Sequence, residues 1–287
     1  MFNLDDLKSV CFHFCEECNM QCKYCFAKFE YDKKEKKFLT EDESCQLVDN
    51  LFEFGFEKIT FAGGEPTLCH WLTNIVKRAK ENGFVTMLAT NGTGLTDAFL
   101  ESVANYLDWI ALSVDSLDLD TLNKLGRQTR DNKVDKNYYY NRIDKINKSG
   151  IKLKISTVIS AVNINEDLSS FINYARPLRW KLFQVFPNGL DINDWIKFEI
   201  SKNDFLSFYE RHRFNVSEEI PIAAEDIDVM SNSYVMIDPL GRFYQNQSNT
   251  HLYEYSLPIL DIGVTEALSH IFIDKTKRKQ RHAMYWK

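Results

Sequence analysis

The sequence predicts an α/β protein: a parallel sheet with helical crossovers, curled into a partial (β/α)6 barrel, with a C-terminal extension packed on it. Three observations predict it. Short apolar runs alternate with helical segments up to residue 187, the pattern of repeated strand–crossover–strand units. Six such units fit a partial barrel better than a full eight-fold one. Beyond 187 the alternation stops without a linker, and 11 glycines and 6 prolines in 287 residues argue against disordered segments. Residues 1–187 are therefore expected to form the barrel and 188–287 the extension, within one structural unit.

The elements follow in order. "SVCFHF" reads as the first strand, with Val10, Phe12 and Phe14 on one face and Cys11, His13 and Cys15 on the other. A cysteine-rich loop and the charged stretch "FEYDKKEKK" come next. Thr40 opens a helix, with Glu43 as its capping-box partner and Leu47, Leu51 and Phe54 at helical spacing. "KITFAGG" is the second strand and 67–82 a helix; "FVTMLATNG" is the third, followed by a helix near 96–105. "WIALSVDS" is the fourth strand, and a helix near 138–149 leads to "IKLKISTVI", the fifth. A helix over 165–175 precedes "RWKLFQVF", the sixth. In the extension, 202–212 is helical and "SYVMIDPLGRFYQN" is a hairpin turning at Pro239 to Gly241. A helix near 264–272 and a solvated basic tail end the chain.

All seven cysteines fall within the first 69 residues, four of them in "CEECNMQCKYCF". An odd, tightly clustered set is not a secreted disulfide framework. The N-terminus lacks the basic-then-apolar pattern of a signal peptide, and no run reaches the ~18 apolar residues of a membrane span. A reduced cytoplasmic compartment without membrane attachment is expected. The net charge of −6 argues against general nucleic-acid affinity.

Two metal sites fit the loop. Cys15, Cys18, Cys22 and Cys25 could close a tetrahedral zinc site. Alternatively, Cys18, Cys22 and Cys25, spaced C-x3-C-x2-C, could hold three corners of a [4Fe-4S] cluster and leave the fourth iron open. The three-residue gap between Cys18 and Cys22 favours the cubane, because paired zinc ligands usually need a longer loop to fold back. Cys15 then reads as a packed thiol. Tyr24 stands where it could cover a ligand on the open iron.

Later segments carry compatible chemistry. Gly63 and Gly64 in "FAGGEP" strip side chains from the end of the second strand, where backbone could approach a ligand. Asn91, Ser113 and Asp115 lie at C-terminal strand ends, the positions that line a barrel mouth. Arg127 offers a fork for a carboxylate. Lys58, Lys154, Arg179 and Lys181 sit on strands; several cations inside an acidic protein require anions, and a triphosphate would suit.

The cysteine motif and the glycine element resemble those of radical S-adenosylmethionine (SAM) enzymes. Further segments, among them "LDWIALSVDS", "LGR", "KISTVIS", "PLRWKLFQ", "SYVMID" and "ILDIGVTEA", are similar in order, over nearly the whole chain, to the viperin-like nucleotide dehydratases. The resemblance implies a partial (β/α)6 radical SAM barrel, a [4Fe-4S] cluster on Cys18, Cys22 and Cys25, and SAM. It implies SAM contacts from Gly63, Gly64, Glu65, Asn91, Ser113 and Arg127, with Tyr24 over the cluster's ligand. It places Lys58, Lys154, Arg179 and Lys181 around nucleotide phosphates and Tyr234 near the sugar, as a catalytic hydrogen or proton donor, and it allows the extension to cover the nucleotide pocket, with the tail of Lys275, Lys277, Arg278, Lys279 and Arg281 folded over it.

The implied reaction is a radical SAM lyase reaction. A 5'-deoxyadenosyl radical takes the ribose 4' hydrogen of a ribonucleoside triphosphate. The 3'-hydroxyl then leaves as water, and one more electron and a proton complete the 3'-deoxy-3',4'-didehydro analogue, a chain terminator in antiviral defence. A monomer fed by a ferredoxin or flavodoxin is expected. Thr60, Ser156 and Ser160 replace amides of the animal enzymes near the nucleotide, so no base preference is implied. The rival readings are another radical SAM enzyme acting on a small phosphorylated substrate, or a non-catalytic iron–sulfur or zinc-binding regulator.

Overall fold

The computed structural model describes residues 7–29, 38–130, 133–187, 192–246 and 252–285. Among these, one sheet contains β1 (Ser9–Cys15), β2 (Lys58–Gly63), β3 (Val85–Thr90), β4 (Trp109–Ser113), β5 (Lys152–Ile159), β6 (Arg179–Gln184), β7 (Ile222–Glu225), β8 (Met236–Ile237), β9 (Arg242–Asn246) and β10 (Tyr253–Pro258). Its order is β10-β9-β8-β1-β2-β3-β4-β5-β6-β7. The six predicted strands run parallel in sequence order. The extension joins both edges: β7 continues the parallel run beside β6, and β8 lies parallel to β1. The predicted hairpin is β8–β9, closed by Gly241 N–H donating to the Asp238 carbonyl.

The sheet curls. Seven inter-strand steps separate β8 from β7, about 34 Å in a flat sheet at ~4.8 Å per step. Yet Tyr234, two residues before β8, hydrogen-bonds Glu225 at the end of β7. Only a sheet bent into an open barrel allows that contact.

Strand alternation divides the two faces. On β5, Leu153, Ile155, Thr157 and Ile159 are buried, while Lys152, Lys154, Ser156 and Val158 alternate with them. The apolar set joins a core with Val10, Phe12, Phe14, Phe61, Leu88, Ile110 and Trp180, packed against helices. Each fully buried side chain of this kind contributes roughly 1.5–3 kcal/mol. The opposite face of β5 and β6 carries Lys154, Ser156, Arg179 and Lys181 into the barrel interior.

Thr40 caps the helix Glu41–Phe54 through the predicted box with Glu43. The helix expected over 67–82 is instead a short 3-10 turn, Pro66–Leu68, followed by Leu72–Asn82. Helices Asp97–Val103, Lys136–Ser149, Ser169–Ala175, Lys202–Arg213 and Val264–Ser269 correspond to the remaining expectations. A further seven-residue helix, Leu119–Leu125, was not expected from the sequence. The charged stretch after the cysteine loop falls mainly at 30–37, outside the described residues.

The tail needs a correction. Residues Lys275–Tyr285 form a helix rather than a solvated coil, and Arg278 and Arg281 are buried. Arg278 donates to the carbonyls of Ser233 and Ser9 at 3.2 and 2.5 Å. Carbonyls and a carboxylate inside the fold compensate the arginines that composition alone assigns to solvent. Lys275, Lys277 and Lys279 are not buried.

Candidate active site

The cysteine loop begins where β1 ends, and the end of β2 holds it. Gly64 N–H donates to the Cys15 carbonyl at 2.9 Å and Glu65 N–H to the Glu17 carbonyl at 2.7 Å. A Cβ on Gly63, whose φ is +154°, would lie 2.7 Å from Cys15 Sγ. A Cβ on Gly64 would collide with the Glu16 and Glu17 carbonyls. The two glycines are therefore required by the approach of the loop's own backbone. The far side of the loop is pinned by Gln21 and Lys23 N–H groups donating to the carbonyls of Gly126 and Leu125.

Glu65 is fully buried and its carboxylate is occupied. Oε1 accepts from Thr67 N–H (3.1 Å), Thr67 Oγ1 and Thr90 Oγ1 (both 2.6 Å); Oε2 accepts from Asn91 N–H at 2.7 Å. Burial nevertheless pushes its pKa up. Asn91 Nδ2 donates to Asn19 Oδ1 at 3.0 Å, and Asn91 Oδ1 accepts from Thr93. This amide chain ties the end of β3 to the cysteine loop.

Beneath the loop lies a buried ion pair. Arg127 Nη1 is 2.8 Å from Asp115 Oδ2, and Arg127 Nη2 donates to the Ser113 carbonyl at 2.8 Å. Tyr24 donates its hydroxyl to Asp115 Oδ2, and Arg127 Nε reaches the Tyr139 hydroxyl at 3.4 Å. Asp115 Oδ1 accepts from Val158 N–H at 2.7 Å. Burial, reinforced by Asp115, raises the Tyr24 phenol well above its usual range, so it stays a donor. Tyr24 is buried beside Phe198 and turned toward Asp115.

Deeper in the barrel the cations converge. Register sets Lys154 beside Arg179, and Lys181 beside Ser156. Desolvation lowers Lys58 and Lys154 to about 7, with Lys154 and Arg179 adding to the effect on Lys58, and Lys181 and Arg179 to that on Lys154. Lys181 falls to about 8, chiefly by burial, against the opposing pull of Glu225. Electrostatic coupling between residues on β2, β5 and β6 places them in one interior.

Glu225 and Arg281 complete this region; the sequence marked Glu225 nowhere, and Arg281 only as part of a basic tail that the family resemblance allows to fold over the pocket. Lys181 Nζ lies 2.8 Å and Arg281 Nε 3.0 Å from Glu225 Oε1, while the Tyr234 hydroxyl donates to Oε2. Lys181 Nζ also donates to Tyr234 at 2.7 Å. The fully buried Glu225 would titrate high from burial alone; Arg281 and Lys181 overcome that and hold it well below the usual carboxylate range. Strand β7 is only four residues long, so nothing in "PIAAED" marked Glu225.

The structure thus brings the predicted residues into two neighbourhoods. Cys18, Cys22, Cys25, Tyr24, Gly63, Gly64, Glu65, Asn91, Ser113 and Arg127 surround the loop at the C-terminal ends of β1 to β4. Lys58, Lys154, Arg179, Lys181 and Tyr234 share the interior. Arg127 and Glu65, expected to face a cofactor, are engaged by protein groups.

A parallel partial barrel with a C-x3-C-x2-C loop following its first strand marks the radical SAM class. The Radical SAM superfamily model matches residues 13–175. The chain is 45% identical over 284 residues to a protein of Lacinutrix mariniflava, covering 97% of this chain and 58% of that one. It is 43% identical over 286 residues to one of Flammeovirga pacifica, covering 98% and 97%, and 31% identical to one of Oncorhynchus mykiss, covering 96% and 80%. The chain belongs to their family, the S-adenosylmethionine-dependent nucleotide dehydratases. Solved structures share the fold: native anSMEcpe with bound AdoMet has a TM-score of 0.68 at 13% identity, covering 95% of this chain and 82% of that one. Streptococcus suis SuiB bound to its precursor peptide has a TM-score of 0.65 at 15% identity, covering 83% and 58%.

The superfamily uses a [4Fe-4S] cluster and SAM, and the donor set fits. Cys18, Cys22 and Cys25 are free thiols, and each feels the Arg127 guanidinium. Burial pushes all three up, Cys22 to about 12, so an iron centre is what would hold them as thiolates. Among the described residues no three or more histidine, cysteine or acidic side chains are gathered closely enough to hold a metal ion.

Proposed function

We propose that the chain converts a ribonucleoside triphosphate to its 3'-deoxy-3',4'-didehydro analogue, with the 3'-hydroxyl lost as water. The observation that carries this reading is the pairing of a three-thiol loop at the barrel mouth with interior Lys58, Lys154, Arg179 and Lys181. The relatives' printed name, nucleotide dehydratase, supports it.

Cys18, Cys22 and Cys25 would hold the cluster. Bound there with SAM, it supplies the carbon-centred radical that starts the reaction. Gly63, Gly64, Glu65, Asn91, Ser113 and Arg127 are assigned to the SAM side, because each touches or braces the cysteine loop and its underlying ion pair. The four cations hold the phosphates and so fix the sugar at one depth below the loop. Tyr234, hydrogen-bonded to Lys181, is the group placed to deliver a proton or hydrogen near the sugar.

The product would act as a chain terminator in antiviral defence. The chemistry consumes electrons, so a reductant is required; a ferredoxin or flavodoxin fits. A monomer in a reducing cytoplasm is the proposed setting, supported by seven free thiols. Among the described residues no helix is long and apolar enough to cross a membrane.

The test is anaerobic reconstitution with iron, sulfide, reductant and SAM, then assay of the four common ribonucleoside triphosphates by mass spectrometry. Formation of 5'-deoxyadenosine together with a nucleotide lighter by one water is expected. SAM cleavage unaffected by every triphosphate would end the reading.

A further inference from the structure

A buried carboxylate is a costly neighbour for a polyanion. Glu225 is fully buried, yet it stands beside Lys181 and is electrostatically coupled to Lys154, two residues assigned to phosphate. A site tuned only for triphosphate affinity would omit it, because a like charge in a low-dielectric interior opposes the ligand. Its retention calls for a second task, and its contacts identify one.

The carboxylate shares its oxygens between three partners. Oε1 accepts from Lys181 Nζ and from Arg281 Nε, and Oε2 accepts from the Tyr234 hydroxyl. Lys181 Nζ also donates to that hydroxyl oxygen. The phenol is thus held at both its hydrogen and its oxygen. Its ring is held too: the Arg281 guanidinium lies 3.6 Å and Lys181 Nζ 5.2 Å from the ring centroid. Arg281 Nη1 also donates at 2.8 Å to the carbonyl of Ser233, next to Tyr234 in the chain. The C-terminal helix therefore grips both the tyrosine backbone and its acceptor.

We propose that Glu225 is a positioning residue, which fixes the Tyr234 hydroxyl and docks Arg281 of the C-terminal helix at the expense of triphosphate affinity. The inference rests on the nucleotide reading of the barrel interior. It separates two quantities that a purely structural ion pair would move together. Where the pH keeps Lys181 and Lys154 protonated, removing the charge frees Lys181 and Arg281 to attract phosphate, so affinity rises. The same change releases the hydroxyl from its acceptor, so turnover falls.

The experiment uses reconstituted holoenzyme with Glu225→Gln and Glu225→Asp. Affinity is measured by calorimetry with inorganic triphosphate. Turnover is measured with SAM and each common nucleoside triphosphate, counting 5'-deoxyadenosine and dehydrated product separately. For Glu225→Gln, a Kd lower by about 3-fold or more is expected, as removal of one nearby like charge gives. A kcat lower by about 10-fold or more is expected for a misplaced proton-donating group, with more 5'-deoxyadenosine formed per product. Weaker binding together with lower turnover, or unchanged turnover, overturns the proposal. If Glu225→Gln does not fold, Glu225→Asp decides: it keeps the charge but withdraws the carboxylate, so Kd stays within about 2-fold while kcat drops; unchanged kcat overturns the proposal. A parent enzyme that binds no triphosphate and dehydrates no nucleotide fails the nucleotide reading instead, whatever the variants do.

Discussion

Arg127 and Asp115 form a buried ion pair, 2.8 Å between Nη1 and Oδ2, under the cysteine loop. The pair joins the end of β4, the turn after helix Leu119–Leu125, and Tyr24 between Cys22 and Cys25. A guanidinium buried without its partner is costly, about 3–5 kcal/mol. Asp115→Ala is therefore expected to lose stability on that scale in denaturant unfolding. Asp115→Ala combined with Arg127→Met should recover part of the loss, since no charge is then left unpaired. Equal losses in the single and double variants would mean that the two side chains are not energetically coupled.

Gly64→Ala tests the backbone clamp. The new Cβ would meet the carbonyls of Glu16 and Glu17. The strand and the loop must then part at the residues leading into Cys18. Expected is a folded protein by circular dichroism that retains well under half of the parent's iron after reconstitution. Full iron content with the parent's visible absorption would remove Gly64 from the clamp.

Much of this architecture was legible because each layer carried a local signature. Six strands announced themselves through apolar runs, and Cys18, Cys22 and Cys25 through a spacing that can be read without neighbours. The contacts of Glu65 and Arg127, both expected at the site, were not legible. That Glu65 bonds Thr67, Thr90 and Asn91, and Arg127 bonds Asp115, depends on which strand ends lie adjacent. Glu225 was illegible for the same reason, more strongly, and Arg281 was visible only as part of a basic tail with no named partner. They lie 56 positions apart and meet only because the sheet curls shut and a terminal helix docks at the seam. The tail's basic composition pointed to solvent; partners far away in sequence reversed that.

If the interior lysines hold the phosphates as proposed, nucleotide binding depends on pH. In the unliganded chain desolvation lowers Lys58 and Lys154 to about 7 and Lys181 to about 8. At pH 8, Lys58 and Lys154 are thus mostly neutral. A bound triphosphate favours their charged forms, raises these values and draws protons from solution. Affinity should fall as pH rises from about 7 to 9, and calorimetry at pH 8 in buffers of different ionisation enthalpy should show proton uptake. The unliganded chain behaves oppositely: unfolded lysines titrate near 10.4, so between about 7 and 10 the unfolded state binds more protons and these lysines favour folding increasingly as pH rises. Binding with no proton uptake at pH 8 would place the lysines elsewhere than on the phosphates. For Lys154→Ala a loss of triphosphate affinity of about 10-fold or more is expected, as for a removed charge-assisted contact; unchanged affinity would exclude that residue.

Cys15 separates the cubane from the zinc alternative. Its carbonyl is bound by Gly64 N–H, its thiol packs where a Gly63 side chain would otherwise lie, and burial pushes it up to about 12. Those contacts describe a packed thiol at the end of β1. Cys15→Ala is expected to reconstitute with iron and visible absorption close to the parent's, at a modest cost in stability. Cys18→Ala, Cys22→Ala and Cys25→Ala should each lose the absorption, because a cubane with two protein thiolates has two open corners and is released to chelators. Removing iron from the parent with a chelator should abolish SAM cleavage while leaving inorganic triphosphate binding in place, since the lysines lie deeper on the strands than the loop. Should Cys15→Ala lose its iron as fully as the other three, four protein thiolates would hold the metal, no iron corner would be open to SAM, and the radical chemistry would have no place to begin.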